Sequence, residues 1–187
     1  MPQGKTIRLQ LATPDDAELI CRWREDPGYV DPFQEISPLP RYAMEKWLAS
    51  EPYQPERRGW WLIKSLDSDE PMGLVLHFEP SAVPHFRALE VGWEVRPDFR
   101  GHGVATEAAC VLVNYLFNLT PIQRIQAMIT DGNEASCHVA ERVGMQHEGV
   151  CRKAGFGRGT YVDLHLYSIL REEWHDEVSY AQGRPLH

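Results

Sequence analysis

Arg100-Gly101-His102-Gly103-Val104-Ala105 stands between an alternating run at 89–95 and an amphipathic stretch at 106–117. When a strand turns through glycine into a helix, the first backbone N–H groups of that helix have no internal partner and lie at the positive end of its dipole. A phosphate satisfies both conditions. Glycines at 101 and 103 remove the Cβ atoms that would hold it away. The chemistry expected here is therefore the binding of a nucleotide diphosphate. Spacing narrows the choice, because a dinucleotide fingerprint needs a third glycine or alanine where Thr106 stands, and the Gly-Lys-Ser/Thr of a P-loop is absent.

What remains is Arg/Gln-x-x-Gly-x-Gly/Ala after a strand, which resembles the acyl-CoA loop of the GNAT N-acetyltransferases. Further along come Asn133-Glu134-Ala135-Ser136, a short helix ending at Gly144-Met145, then Glu148-Gly149, Arg152, Asp163, Tyr167-Ser168 and Glu173-Trp174. That order is similar to the RimJ/RimL branch, and it extends from Arg8-Leu9 to Trp174. Members of the branch acetylate the α-amino groups of ribosomal proteins or other amines. The resemblance implies acetyl-CoA as co-substrate and an amine acceptor, either a protein N-terminus or a small molecule such as an aminoglycoside or polyamine. Homodimers are common in the branch. Two departures stand out: Met145 occupies the usual place of phenylalanine, and the tyrosine that protonates the leaving thiolate in many members is missing, its place by spacing being Ala140. The missing tyrosine keeps open a second reading, a CoA-binding regulatory module without turnover.

Acyl transfer from a thioester needs a neutral amine, stabilisation of the oxyanion and a proton for the thiolate. The resemblance implies cofactor contacts from Trp93, Val95, Arg100, Gly101, His102, Gly103, Val104, Ala105, Thr106, Asn133 and Ser136, with the Val95 amide facing the thioester carbonyl and pantetheine pairing along 93–95 like an added strand. Glu90 either takes the amine proton or bonds within the sheet. Ser136 is the candidate acid, or it caps the helix. Phe33, in a proline-rich segment suited to a lid, and Asp163 and Tyr167, which alternate with His165 on one face of a strand, are candidate acceptor residues. Cys137 beside Ser136 has no base near it in sequence and reads as a packed thiol.

Composition excludes other classes. The chain has 187 residues, enough for one well-buried core, so residues 1–187 read as one domain with 180–187 a frayed tail. The net charge is -8 and the 19 Lys and Arg are scattered, which argues against nucleic-acid binding. No apolar run approaches the ~20 residues of a membrane span, and the first ten residues lack a signal-peptide core, so a cytoplasmic protein is expected. The 4 cysteines show no Cys-x-x-Cys spacing and are expected as reduced thiols. The 8 histidines form no helical His-x-x-x-His pair, and no metal is expected.

The elements that must position these residues follow from periodicity and punctuation. Strands are predicted at 6–10, 60–65, 72–78, 88–95, 124–130, 146–152 and 161–171. Helices are predicted at 14–25, behind a Thr13-Pro14-Asp15-Asp16 start, at 41–50, at 103–117, and from a cap at Asn133 or Asp131 to Arg142. Gly155, Gly157 and Gly159 fall in the loop between the last two strands. An antiparallel meander, a strand–helix–strand–helix crossover and a terminal pair make an α+β plan. It is the layout of the GNAT fold, a mixed and mostly antiparallel sheet of six to seven strands with helices on both faces.

Overall fold

The computed structural model describes residues 1–26, 28, 29, 33, 39–49, 54, 56–80, 88–157 and 159–175. Most of the expected lid at 28–40, the loop at 81–87 and the tail at 180–187 lie outside the described residues. In chain order the elements are β1 (Ile7–Leu11), α1 (Ala17–Glu25), α2 (Arg41–Ala49), β2 (Arg58–Ser65), β3 (Pro71–Phe78), β4 (Leu89–Val95), α3 (Val104–Leu119), β5 (Arg124–Thr130), α4 (Glu134–Val143), β6 (Gln146–Gly157) and β7 (Thr160–Leu170), with 3-10 turns at Pro14–Asp16, Pro97–Phe99 and Arg171–Glu173. No described helix is long and apolar enough to cross a membrane.

One seven-stranded sheet runs in the order β1-β2-β3-β4-β5-β7-β6. Every neighbouring pair is antiparallel except β4 and β5. Period-two alternation buries both faces. Trp61, Ile63, Val75, Leu89 and Val91 join Leu112, Val113 and Leu116 of α3 in the main core, whereas Leu62 and Leu74 point the other way, onto Ala17, Ile20, Cys21 and Met44 of α1 and α2. The first turn of the predicted helix at 14–25 is a 3-10 turn, where Asp16 Oδ2 accepts from the Thr13 amide at 2.8 Å. At α4 the cap is Asn133 and not Asp131: Asn133 Oδ1 accepts from the Ser136 amide at 3.1 Å, and Gly144, at φ +94, ends the helix.

The prediction at 146–152 is too short. β6 continues to Gly157, so Gly155 and Gly157 lie in a strand and Gly159 alone of the three belongs to the turn. Gly155 pairs with Val162, and a Cβ there would stand 2.9 Å from Val162 Cγ2, so close packing across the strands requires this glycine. Register shifts between 147 and 149 and between 151 and 155 bend β6. In the second of these, Lys153 adopts φ +53 and its amide donates to Asp163 Oδ1 at 2.9 Å.

β3 and β4 are locked together at Gly73, where an added Cβ would come 2.2 Å from the Glu94 carbonyl oxygen and 2.9 Å from Val95 Cα. Gly73→Ala must therefore move β4. The expected loss, read by urea unfolding, is about 1–3 kcal/mol. On the far side of the sheet, Arg124 grips Glu148 through two hydrogen bonds of 2.6 and 2.7 Å, and Ser168 Oγ also donates to it. These bonds, the Arg124 one first, pull the Glu148 carboxyl from 4.5 down to about 2. A depressed folded value means that the stabilisation is present above about pH 4.5 and is lost as pH falls toward 2. Glu148→Gln is expected to flatten the acid limb of the stability curve in that window, by a modest amount because the side chain is 38% exposed.

Candidate functional site

β4 and β5 pair only at Leu89 with Ile125 and Glu90 with Gln126. Beyond that point they part, since β4 follows β3 as far as Val95 while β5 follows β7 as far as Thr130. A cavity of about 200 Å³ opens in the gap, lined by Val91, Gly92, Trp93 and Glu94 on one side and Ala127 to Thr130 on the other, with Leu76, Phe33, Asn133 and Ser136. A second groove of about 390 Å³ runs over the end of β4 and the start of α3, bounded by α4. Trp93, Glu94, Asn133 and Ser136 line both, so the two spaces meet at these residues.

The floor of the larger groove is the glycine turn. Gly101 and Gly103 adopt φ +77 and +79, and a Cβ built on either meets no atom within 4 Å. Glycine is needed at both by conformation. The space above them is open. Gly103 is the N-cap of α3 and no side chain bonds back to cap the helix. Its leading amides are thus available to an anion, as the fit of a diphosphate requires. On the opposite wall, His138 and Arg142 lie one helical turn apart on α4 and both line the groove.

Of the cofactor residues expected from the sequence, Trp93, Val95, Arg100, Gly101, Gly103, Val104, Ala105, Thr106, Asn133 and Ser136 line this groove, and His102 does not. Arg100 is already engaged: Nε donates to the Val95 carbonyl at 2.9 Å and Nη2 to the Tyr29 carbonyl at 2.7 Å. It therefore fastens the segment after α1 onto the turn. Asn133 spends its Oδ1 on the cap, so Ser136 is the residue capped and not the capping one.

Glu90 lines neither cavity. It accepts from Gln126 Nε2 at 3.1 Å, and burial pushes its carboxyl above the ordinary range against the pull of that bond. Phe33 lines the smaller cavity beside Gly132. Asp163 and Tyr167 line neither cavity: Asp163 braces the bulge at Lys153, and Tyr167 is buried in the main core, where burial and the adjoining Cys137 thiol push its phenol up to about 12. Cys21, Cys110, Cys137 and Cys151 are free thiols. Ala140 is fully buried in the core, while Ser136 and Val139 carry the groove-facing side of α4.

Three titratable lining side chains were not anticipated. His138 and Arg142 lie with Ala135 and Val139 on one helical face, spaced i, i+3, i+4 and i+7, and following that face from Ala135 would have found them. Glu94 alternates with Trp93 and therefore projects from the other face of β4, toward α1. Its Oε1 takes a hydrogen bond from Arg24 Nη2 at 3.1 Å, and Oε2 lies 3.5 Å from the Tyr29 hydroxyl.

Comparison with known proteins agrees with this geometry. Residues 6–146 match the acetyltransferase (GNAT) domain. The uncharacterized N-acetyltransferase YoaA of Bacillus subtilis (strain 168) is 35% identical over 119 residues, which span 64% of this chain and 66% of that protein. The spermidine N(1)-acetyltransferase of Escherichia coli (strain K12) is 29% identical over 184 residues, 93% of this chain and 91% of that one. Among solved structures, RimL, a ribosomal L7/L12 α-N-protein acetyltransferase in complex with coenzyme A, superposes with a TM-score of 0.78 at 18% identity, covering 90% of this chain and 96% of that one, a likeness of fold. With the family model matching three quarters of its length, the chain belongs to the GNAT acetyltransferases.

Proposed function

We propose that the chain is an N-acetyltransferase of the RimJ/RimL type, acting in the cytoplasm, which moves the acetyl group of acetyl-CoA onto a primary amine by direct attack in a ternary complex. The observation that carries this reading is the junction of the two cavities at Trp93, Glu94, Asn133 and Ser136. One space has the uncapped amides and open glycine floor that a diphosphate needs. The other reaches the same point through the sheet, from the side of Phe33. A donor and an acceptor entering separately would meet there, and holding both in place removes much of the entropic part of the barrier.

In this reading the amides at the start of α3 hold the diphosphate, with Arg142 contributing positive charge and His138 its imidazole from α4. Among the described residues the edge of β4 beyond Glu90 has no strand partner on its β5 side, so its main chain is available to the amides of pantetheine. The Val95 amide then faces the thioester carbonyl and stabilises the oxyanion, and Ser136 returns a proton to the departing thiolate directly or through water. Glu90, behind the cavity wall and bonded to Gln126, is a structural carboxylate in this scheme.

The acceptor most consistent with the cleft carries a single amine, such as a protein N-terminus. Among the described residues that line the smaller cavity, Glu94 is the one acidic side chain, and Arg24 already balances it. A polyamine would call for several carboxylates.

Two measurements test the reading. Calorimetry is expected to show CoA binding to the wild type, and Gly103→Trp is expected to abolish it while costing the fold only about 1–2 kcal/mol for the left-handed backbone. A thiol-release assay over an amine panel should then find at least one acceptor. With that acceptor, Ser136→Ala is expected to lower kcat about tenfold with KM for acetyl-CoA unchanged, a small effect because a thiolate of pKa near 8.5 needs little help to leave at neutral pH. CoA binding without thiol release from any amine would instead establish a regulatory module.

A further inference from the structure

At the junction of the two cavities Glu94 is the one charged side chain of the four shared residues. We propose that Glu94 receives the acceptor's ammonium group and takes its first proton, as the general base of this site in place of Glu90. This rests on the acyltransferase reading above.

Three features of the geometry support it. Strand alternation sends Glu90, Gly92 and Glu94 to the face opposite Val91, which packs in the main core, so these three look toward α1 and Phe33. Within that row Glu90 is spent on Gln126 and lines neither cavity, and Gly92 has no side chain. That leaves Glu94 as the carboxylate the strand presents to the cleft. Second, its two oxygens are unequally satisfied. Oε1 is held by Arg24 Nη2 at 3.1 Å, but Oε2 has only the Tyr29 hydroxyl at 3.5 Å among the described residues, a distance at the limit of a hydrogen bond. A nitrogen donor entering from the smaller cavity completes that oxygen.

Third, the surroundings suit a carboxylate that passes a proton. The charged and titratable groups facing Glu94 are Arg24 from α1, the Tyr29 phenol from the segment after it and, through the Tyr29 carbonyl, Arg100 from the glycine turn. Arg24 supplies the counter-charge that a carboxylate only 15% exposed requires. Burial and the neighbouring Glu94 charge raise the Tyr29 phenol well above its ordinary value, so it stays neutral and its hydroxyl is the donor toward Glu94.

The step balances. The ammonium gives one proton to Oε2, from which it passes to water, and the freed lone pair forms the C–N bond at the thioester carbonyl. The C–S bond breaks with its electron pair on sulfur, and the second amine proton goes to that thiolate through Ser136 or water. One ammonium and one acetyl thioester become one amide, one thiol and one released proton.

Glu94→Gln tests this with spermidine and with a short peptide bearing a free α-amine as acceptors. The variant is expected to bind CoA within about twofold of wild type by calorimetry and to lose about 100-fold or more in kcat/KM. Its residual rate should climb about tenfold per pH unit up to the pKa of the amine, because only the already neutral amine reacts, whereas the wild type stays flat over that range. Glu94→Asp should recover part of the rate, and Glu90→Gln should cost less than about tenfold. The proposal is overturned if Glu94→Gln keeps the wild-type pH profile, if Glu90→Gln carries the larger loss, or if the loss at Glu94 comes with an equal loss of CoA affinity. A wild type that neither binds CoA nor releases thiol overturns the acyltransferase reading and this proposal together, while an active wild type beside an unimpaired Glu94→Gln overturns the Glu94 role alone.

Discussion

Everything in the site depends on the parallel pairing of β4 and β5 stopping after two residues. Each strand is committed to a different antiparallel partner: β4 to β3, through six paired positions, and β5 to β7, through seven. Antiparallel ladders are the stronger of the two kinds, so where the twists of the two halves diverge, the parallel seam is the one that opens. The opening strips the β5 side of Val91 to Val95 of its ladder partner. Backbone groups left so near a core need another partner. Arg100 supplies one of them, through Nε to the Val95 carbonyl.

Beyond the opening, one face of the sheet shares the main core with α3 and α4 through Ile125, Ala127, Ile129, Tyr167 and Ile169, and the other face is held by polar contacts. A chain of hydrogen bonds crosses it: Gln126 Nε2 donates to Glu90, Arg124 Nε donates to Gln126 Oε1, and Arg124 and Ser168 donate to Glu148. Gln126 is 6% exposed and Ser168 2%, so unpaired they would each carry a desolvation cost of about 1–3 kcal/mol. Satisfied in sequence, they hold β5, β7 and β6 in register. This gives Glu90 a reason to be on β4 apart from catalysis, for it anchors the chain at the last residue pair before the strands separate.

Much of this architecture was legible in the sequence because its signals are local. The strand at 124–130 was placed at both ends, and the predicted helix at 103–117 differs from α3 by only one residue at its start and two at its end, because Gly103 and Thr120-Pro121 are strong punctuation. The end of β6 was misjudged for the same reason in reverse. Gly155 and Gly157 look like turn residues, yet Gly155 answers to Val162 on another strand, which no local rule detects. The site divides along the same line. The glycine turn and the Asn133–Ser136 pair border the groove, and the signals that mark them, left-handed glycines and a helix N-cap, are local. His102, expected to contribute its backbone amide, lines neither cavity, and Asp163 and Tyr167 share a strand face that points elsewhere. Choosing between Glu90 and Glu94 requires knowing where the seam ends, and that depends on partners far along the chain.

The tyrosine missing from α4 has a similar explanation. Counting from Asn133 to Gly144 points to Ala140, but Ala140 is fully buried among Val143, Met145 and the α3 core, and a tyrosine there would have to displace them. The helix face that meets the groove passes instead through Ser136 and Val139, with Arg142 a turn further on. No phenol is presented to the sulfur from this helix, and the hydroxyl that is presented belongs to Ser136, which also borders the acceptor cavity. In the proposed reading, donor and acceptor chemistry rest on two polar groups on opposite walls of one junction. A thiolate leaving at neutral pH asks little of the first. An ammonium that must lose its proton asks more of the second, and on that wall the strand presents Glu94.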